Sequence, residues 1–168
     1  GLAFDGDGDR LGVISNTGQI IWPDKLMMLF SKHVLNATPG ATIISDVKCS
    51  MDLAQVVQRH QGKYLMWRTG HSHIKSKMDE TSALLGGEFS GHICFRDKWY
   101  GYDDALYSAA RLLDILANSD KSAHELFDEF PTRHCTPEIK IETTESKKFE
   151  IIDALSNNLE IPNATINS

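Results

Sequence analysis

Between residues 41 and 81 the chain repeats one pattern twice: a short run of strand formers, a polar turn, then apolar residues at helical spacing. The first copy is ATIISD at 41–46, after which Ser50 stands as a helix N-cap ahead of Leu53, Val56 and Val57. The second is KYLMW at 63–67, with Thr69-Gly70 as the turn and Ser72 capping a helix that carries Ile74 and Met78 on one face. Strands and helices in alternation predict an α/β layered fold, a mostly parallel sheet with helices on both faces. Ligands of such sheets gather beyond the strand C-termini.

The flanks extend the pattern. Pro23 and Asp24 open a helix in which Leu26, Leu29, Phe30, Val34 and Leu35 recur at helical spacing, and Pro39-Gly40 closes it. Leu84-Leu85, the glycines at 86, 87 and 91, and the apolar HICF read as two short strand pieces around a tight loop. From Asp103 to Asn118 runs the longest helix, with Leu106, Ala109, Ala110, Leu113 and Leu116 as the buried stripe, Leu112 widening it and Asp103 available as N-cap. The aromatic run Trp99, Tyr100 and Tyr102 is expected to pack ahead of that helix, with stacking on a sugar ring as the alternative use. Pro131 and Pro137 frame a linker, followed by a strand in PEIKIET and a helix from about Ser146 to Asn157.

Several function classes are excluded by charge and composition. The chain has 23 acidic and 17 basic side chains, a net charge of −6, and no basic run to track a phosphate backbone, so nucleic acid is not an expected partner. Its three cysteines, Cys49, Cys94 and Cys135, are widely spaced without a C-x-x-C pair, which fits a reducing, cytoplasmic setting rather than a disulfide framework. No apolar run approaches the roughly 18 residues of a membrane span, so no membrane partner is expected. A start at Gly1, on a short strand, suggests a piece of a longer chain.

The densest chemistry lies in FDGDGDR, where Asp5, Asp7 and Asp9 alternate with glycines. Three converging carboxylates repel one another unless a hard cation neutralises them, and oxygen donors suit Mg²⁺ or Ca²⁺. A calcium loop of the EF-hand kind needs Gly at its sixth position and Glu at its twelfth, and here those are Arg10 and Asn16. Arg10 suits either a phosphate oxygen or a salt bridge to one of the aspartates. His33, His60, His73, His124 and His134 have no second ligand at metal spacing and read as surface or satisfied core.

DGDGDR at 5–10, DVKC at 46–49, RTGH at 68–71 and GEFSGH at 87–92 occur in an order that resembles the α-D-phosphohexomutase family, in particular its bacterial phosphomannomutase/phosphoglucomutase branch. The resemblance implies four domains around a cleft, of which residues 1–20 would end the second, 21–134 form the third, and 135–168 begin the fourth. It implies Mg²⁺ on Asp5, Asp7 and Asp9, and a hexose phosphate substrate whose phosphoryl group passes between the 1- and 6-positions through a phosphoserine and a bisphosphorylated sugar. The phosphoserine would lie in the missing domains of the parent chain, so no catalytic residue is expected here and the chain alone should be inactive. Substrate-binding positions carried over are Arg10, Lys48, Thr69, Gly70, His71, Glu88, Ser90 and His92, with Glu88 and Ser90 holding two sugar hydroxyls. Phe89 stands where many bacterial relatives have Met. A loop carboxylate paired with Arg96 or Lys98 is the bland reading of Glu88, and N-terminal capping that of His71. A Mg²⁺-dependent sugar phosphatase and a noncatalytic sugar- or metal-binding module are the rival functions.

Overall fold

The structure is a computed structural model and describes residues 1–132 and 139–159. Three strands, β1 (Leu2–Phe4), β2 (Leu11–Ile14) and β3 (Ile20–Ile21), form a small antiparallel meander. Its alternation is that of a one-sided sheet: Leu11, Val13 and Ile21 are buried while Gly12, Ile14 and Ile20 face outward. Helix α1 (Pro23–Ala37) follows at once, with Pro23 at its first position where a missing N–H costs nothing.

The main sheet has the order β5-β4-β6-β7. At its centre β4 (Thr42–Asp46) runs parallel to β5 (Lys63–Trp67) on one side and to β6 (Leu85–Gly87) on the other, and β7 (Ile93–Phe95) returns antiparallel to β6. The chain therefore moves one way along the sheet through α2 (Asp52–Arg59) and back the other way through α3 (His71–Thr81). With right-handed crossovers, that reversal puts the two helices on opposite faces. Packing agrees: Ile43 joins Leu26, Phe30, Leu53 and Val57 in the larger core, whereas its neighbour Ile44 packs with Ile74, Met78, Ala83 and Cys94 beneath α3.

Helix α4 (Ala105–Ala117) and the short α5 (Ala123–Asp128) complete the first compact unit, Gly1–Pro131. Across α4 the expected stripe is displaced: Leu106, Ala110 and Leu113 are exposed, and Ala105, Ser108, Ala109, Leu112 and Ile115 are buried. Three capping expectations shift by one residue or more. Met51 takes the cap position of α2, with Ser50 Oγ accepting from the Asp52 N–H at 3.2 Å. Gly70 precedes α3, so Ser72 lies inside its first turn. Asp104, not Asp103, caps α4 by accepting from Tyr107 N at 2.8 Å.

The second unit, Thr132–Ser168, contains α6 (Glu145–Asn158), whose Phe149, Ile152 and Leu155 are exposed. Residues 139–144 have no regular secondary structure where a strand was expected across 137–143; Pro137, Glu138, His134 and Cys135 lie outside the described residues.

Behind α4, Arg111 is buried yet charged. It makes a two-pronged ion pair with Asp97 at 2.8 and 2.9 Å, donates to Tyr107 Oη at 3.0 Å, and lies 4.6 Å from the Phe95 ring centre. Both side chains of the pair are under a tenth exposed. Removing one partner leaves an uncompensated buried charge, so Asp97→Ala is expected to lower unfolding free energy by about 3–5 kcal/mol. Urea denaturation of the two chains, with unchanged slope, checks this.

Candidate functional site

Because β4, β5 and β6 are parallel, the loops that follow them leave the same edge of the sheet. These loops carry Lys48, then Thr69, Gly70 and His71, then Glu88, Ser90 and His92. Asp46, the last residue of β4 and fully buried, ties two of them together: one carboxylate oxygen accepts from Phe89 N at 3.1 Å and the other from Thr69 Oγ1 at 3.1 Å. Glu88 repeats the device from the other side, accepting from Gly70 N through one oxygen and from Ser90 Oγ at 3.4 Å through the other. Its pairing with Arg96 or Lys98 is not seen; Arg96 instead donates to Met78 O and pairs with Asp79. Gly70 and Gly91, at φ of 129° and 101°, supply the backbone turns that side chains with a Cβ rarely adopt.

A third buried carboxylate organises the histidines. Asp103 Oδ2 lies 2.9 Å from His71 Nδ1 and 2.8 Å from His92 Nδ1, while its Oδ1 accepts from Lys75 Nζ at 2.6 Å. The two imidazoles stack with centres 4.8 Å apart and planes 17° apart. Burial raises the Asp103 carboxyl, but the Lys75 hydrogen bond and charge outweigh it and hold the group below its ordinary value. Lys75 in turn is raised, its partial burial being outweighed by that same carboxylate.

The acidic loop is adjacent. Arg10 bridges His92 through the backbone, Leu11 N donates to Gly91 O at 3.3 Å, and Ala105 N donates to Gly8 O at 3.0 Å. Asp5 is committed within the loop: Oδ1 accepts from the backbone N–H groups of Asp9 and Arg10, both at 3.0 Å, and Oδ2 pairs with Arg10 Nε at 3.0 Å. Those contacts, led by the Arg10 N–H, hold the Asp5 carboxyl below its usual range. Among the described residues, the group of three metal-capable side chains within 4.8 Å of one another is His71, His92 and Asp103, not Asp5, Asp7 and Asp9. An open cleft of about 390 Å³ runs past the loop, lined in part by Asp5, Arg10, Phe89 and Ser90, with Trp22 stacked on Phe89 at 5.7 Å.

The structure thus brings Thr69, Gly70, His71, Glu88, Ser90 and His92 into one connected cluster, with Arg10 beside it and Lys48 exposed on the same sheet edge. Sequence reasoning missed Asp46 and Lys75 and misread Asp103 as a cap. One signal was available: of two consecutive aspartates before a helix only one can cap it, which leaves the other for different work. Trp99 packs on Tyr107 at 4.3 Å and donates to Asp104, while Tyr100 and Tyr102 stay exposed. His124 Nδ1 is buried without a hydrogen-bond partner, contrary to its expected satisfaction. Cys49 and Cys94 are buried, and that burial pushes the Cys49 thiol well up and the Cys94 thiol up to about 12, which disfavours the reactive thiolate.

A three-layer α/β domain whose polar groups converge beyond the ends of parallel strands is of the α/β/α class, in which ligands gather at that position. Residues 22–134 match the model of phosphoglucomutase/phosphomannomutase, alpha/beta/alpha domain III, and the chain belongs to that family. The acidic loop precedes the matched segment. The chain is 57% identical to a phosphomannomutase/phosphoglucomutase of Pseudomonas putida over 92% of its own length and 34% of the relative's. To a phosphoglucomutase of Neisseria gonorrhoeae it is 48% identical over 98% of its length and 36% of the relative's. A crystal structure of a phosphoglucomutase/phosphomannomutase family protein from Burkholderia thailandensis superposes with a TM-score of 0.91 at 47% identity, covering 100% of this chain and 35% of that one. The chain therefore spans about a third of the relatives it matches. Among the described residues no helix is long and apolar enough to cross a membrane.

If Asp46 holds the Thr69 and Phe89 loops, Asp46→Ala leaves the Phe89 N–H without its acceptor, a loss on the order of 1–3 kcal/mol. Hydrogen exchange is expected to speed up at the Phe89 amide while the β4–β5 amides keep their protection.

Proposed function

We propose that this chain is the sugar-binding part of a longer phosphohexomutase that interconverts hexose 1-phosphate and hexose 6-phosphate, with glucose or mannose as the sugar. The observation that carries this is the convergence of His71, Glu88, Ser90 and His92 at one sheet edge, in a chain of this family. In this reading residues 1–20 end one domain, 21–134 form the sugar-binding domain and 135–168 begin the next, in a cytoplasmic protein. The phosphoserine and the clamp for the distal phosphate belong to parts of the parent outside this chain.

Such a reaction must accept the sugar in two orientations, because either phosphate has to reach the same donor. Ring hydroxyls near the middle of the sugar stay usable in both orientations, and the exposed Ser90 hydroxyl beside the Glu88 carboxylate is suited to them. Arg10 and Lys48 supply cationic donors suited to phosphate oxygens. A metal cofactor fits the family, and the oxygen-only donor set of Asp5, Asp7 and Asp9 suits Mg²⁺ in kind. Bound there, Mg²⁺ would neutralise charge on the transferring phosphoryl group. Asp5 serves the loop as well, by fixing the Arg10 side chain and the turn.

In the full-length protein, Glu88→Ala and Ser90→Ala are each expected to weaken turnover by on the order of 1–3 kcal/mol of transition-state binding, in the same direction for 1-phosphate and 6-phosphate substrates. Coupled assays with glucose and mannose phosphates test this; opposite responses would refute a shared sugar site, and steady release of inorganic phosphate would favour a phosphatase. For this chain alone, titration calorimetry is expected to show Mg²⁺ binding weaker than micromolar. Mg²⁺ retains its waters where protein ligands are few, and here one of the three is already engaged by Arg10.

A further inference from the structure

Two imidazoles that share one carboxylate oxygen restrict one another's chemistry. Asp103 is an ionised acceptor, held below its ordinary pKa by Lys75, and it has no proton to donate. At 2.9 and 2.8 Å from its Oδ2, the Nδ1 atoms of His71 and His92 must each bring the hydrogen. Lys75 Nζ also lies 3.2 Å from His71 Nδ1, and a lone pair there would accept from it. That arrangement would set the same lone pair against the Asp103 oxygen at 2.9 Å, and Lys75 already has a shorter acceptor in Oδ1 at 2.6 Å. The balance favours hydrogen on Nδ1 of both rings.

We propose that Asp103 is a positioning residue that locks His71 and His92 in the same Nδ1–H form and so makes each Nε2 atom an acceptor for a hydroxyl of the bound sugar phosphate. The ligand named here rests on the function proposed above; the tautomers do not. Nδ1 and Nε2 flank the same ring carbon, so a ring anchored through Nδ1 turns Nε2 away from the carboxylate. The two rings stack 17° from parallel, each anchored to the same carboxylate oxygen through Nδ1. The His71 side chain is 45% exposed and that of His92 is 13% exposed against 4% for Asp103, so the anchor is sealed while the working edges are reachable. Among the described residues no hydrogen bond uses either Nε2, and neither atom belongs to the sealed, unpartnered polar atoms.

Chemically this matters because a neutral imidazole has one acceptor nitrogen, and the partner of the other nitrogen decides which one it is. Without Asp103 each ring is free to carry its hydrogen on Nε2 and to present a donor where a hydroxyl needs an acceptor. With it, a hydroxyl proton moves to Nε2 while the O–H electron pair stays on the sugar oxygen. The resulting imidazolium keeps Nδ1–H on Asp103, whose charge stabilises it. Lys75 holds the second carboxylate oxygen and so prevents Asp103 from turning away.

The test is a long-range ¹H–¹⁵N correlation spectrum of the histidine rings of this chain, recorded without ligand at a pH where both rings are neutral. Expected are pyrrole-type Nδ1 and pyridine-type Nε2 signals for both His71 and His92. A folded Asp103→Asn chain should return at least one ring to the Nε2–H form. Either ring appearing as Nε2–H in the unaltered chain overturns the proposal, as does an Asp103→Asn chain that folds and keeps both rings Nδ1–H. The unaltered chain decides the tautomers by itself if the variant does not fold. Glucose 1-phosphate added to the same sample should shift both Nε2 signals; shifts that spare them overturn the acceptor role. Since the tautomers are read without ligand, loss of the mutase reading in turnover assays leaves the tautomer result intact.

Discussion

The parallel pairing of β4 with strands on both sides is the constraint on which the rest of the structure depends. It sends three loops off one edge of the sheet, and it forces the connecting helices to opposite faces because the chain reverses direction between β5 and β6. Had β6 paired with β5 instead, the GEFSGH loop would stand one strand further from the Asp46 carboxylate. The hairpin from β6 to β7 then turns the chain back within the site, so that His92 and Asp103 bracket a single strand.

The polar interior of the site is organised by carboxylates acting as acceptors of local donors. Asp46, Glu88 and Asp103 are each less than a tenth exposed, and each accepts from at least two groups brought from different segments. Burying an anion is costly unless its oxygens are satisfied, so these contacts fix loops that otherwise have little apolar surface to hold them. Asp7 contrasts with them: it is exposed and lies in a loop whose neighbouring carboxylate is already paired with Arg10. One set of carboxylates shapes the chain, whereas Asp7 stays exposed.

What was legible in the sequence were the features with a local period. The β-branched run at 41–46, the aromatic and apolar run at 63–67 and the apolar spacing after Pro23 locate strands and helix closely, because their signal lies within a few residues. The motifs likewise named the loops that meet. The face of α4 was less legible: apolar residues at 106, 110 and 113 and at 105, 109, 112 and 115 both satisfy helical spacing, and only packing against the sheet distinguishes them. The role of Asp103 depends on partners 11 and 32 positions away, which no window of local sequence contains. Asp46 is similar, with Thr69 and Phe89 as its partners at 23 and 43.

The proposed phosphoryl transfer asks for positioning above all, because donor, metal and acceptor must be aligned and the charge on the moving group neutralised. Under the proposed function, a rigid sugar-holding part is useful only if its contacts do not change when the sugar reverses. The site meets that demand by anchoring its functional groups inward: Glu88 to Gly70 and Ser90, the two histidines to Asp103, and Asp103 to Lys75. Each group is fixed by bonds within the chain, so under the proposed function the sugar would encounter the same arrangement in either orientation. In that proposal, adaptation to the two orientations would fall to segments outside this chain, where the donor and distal clamp are proposed to lie.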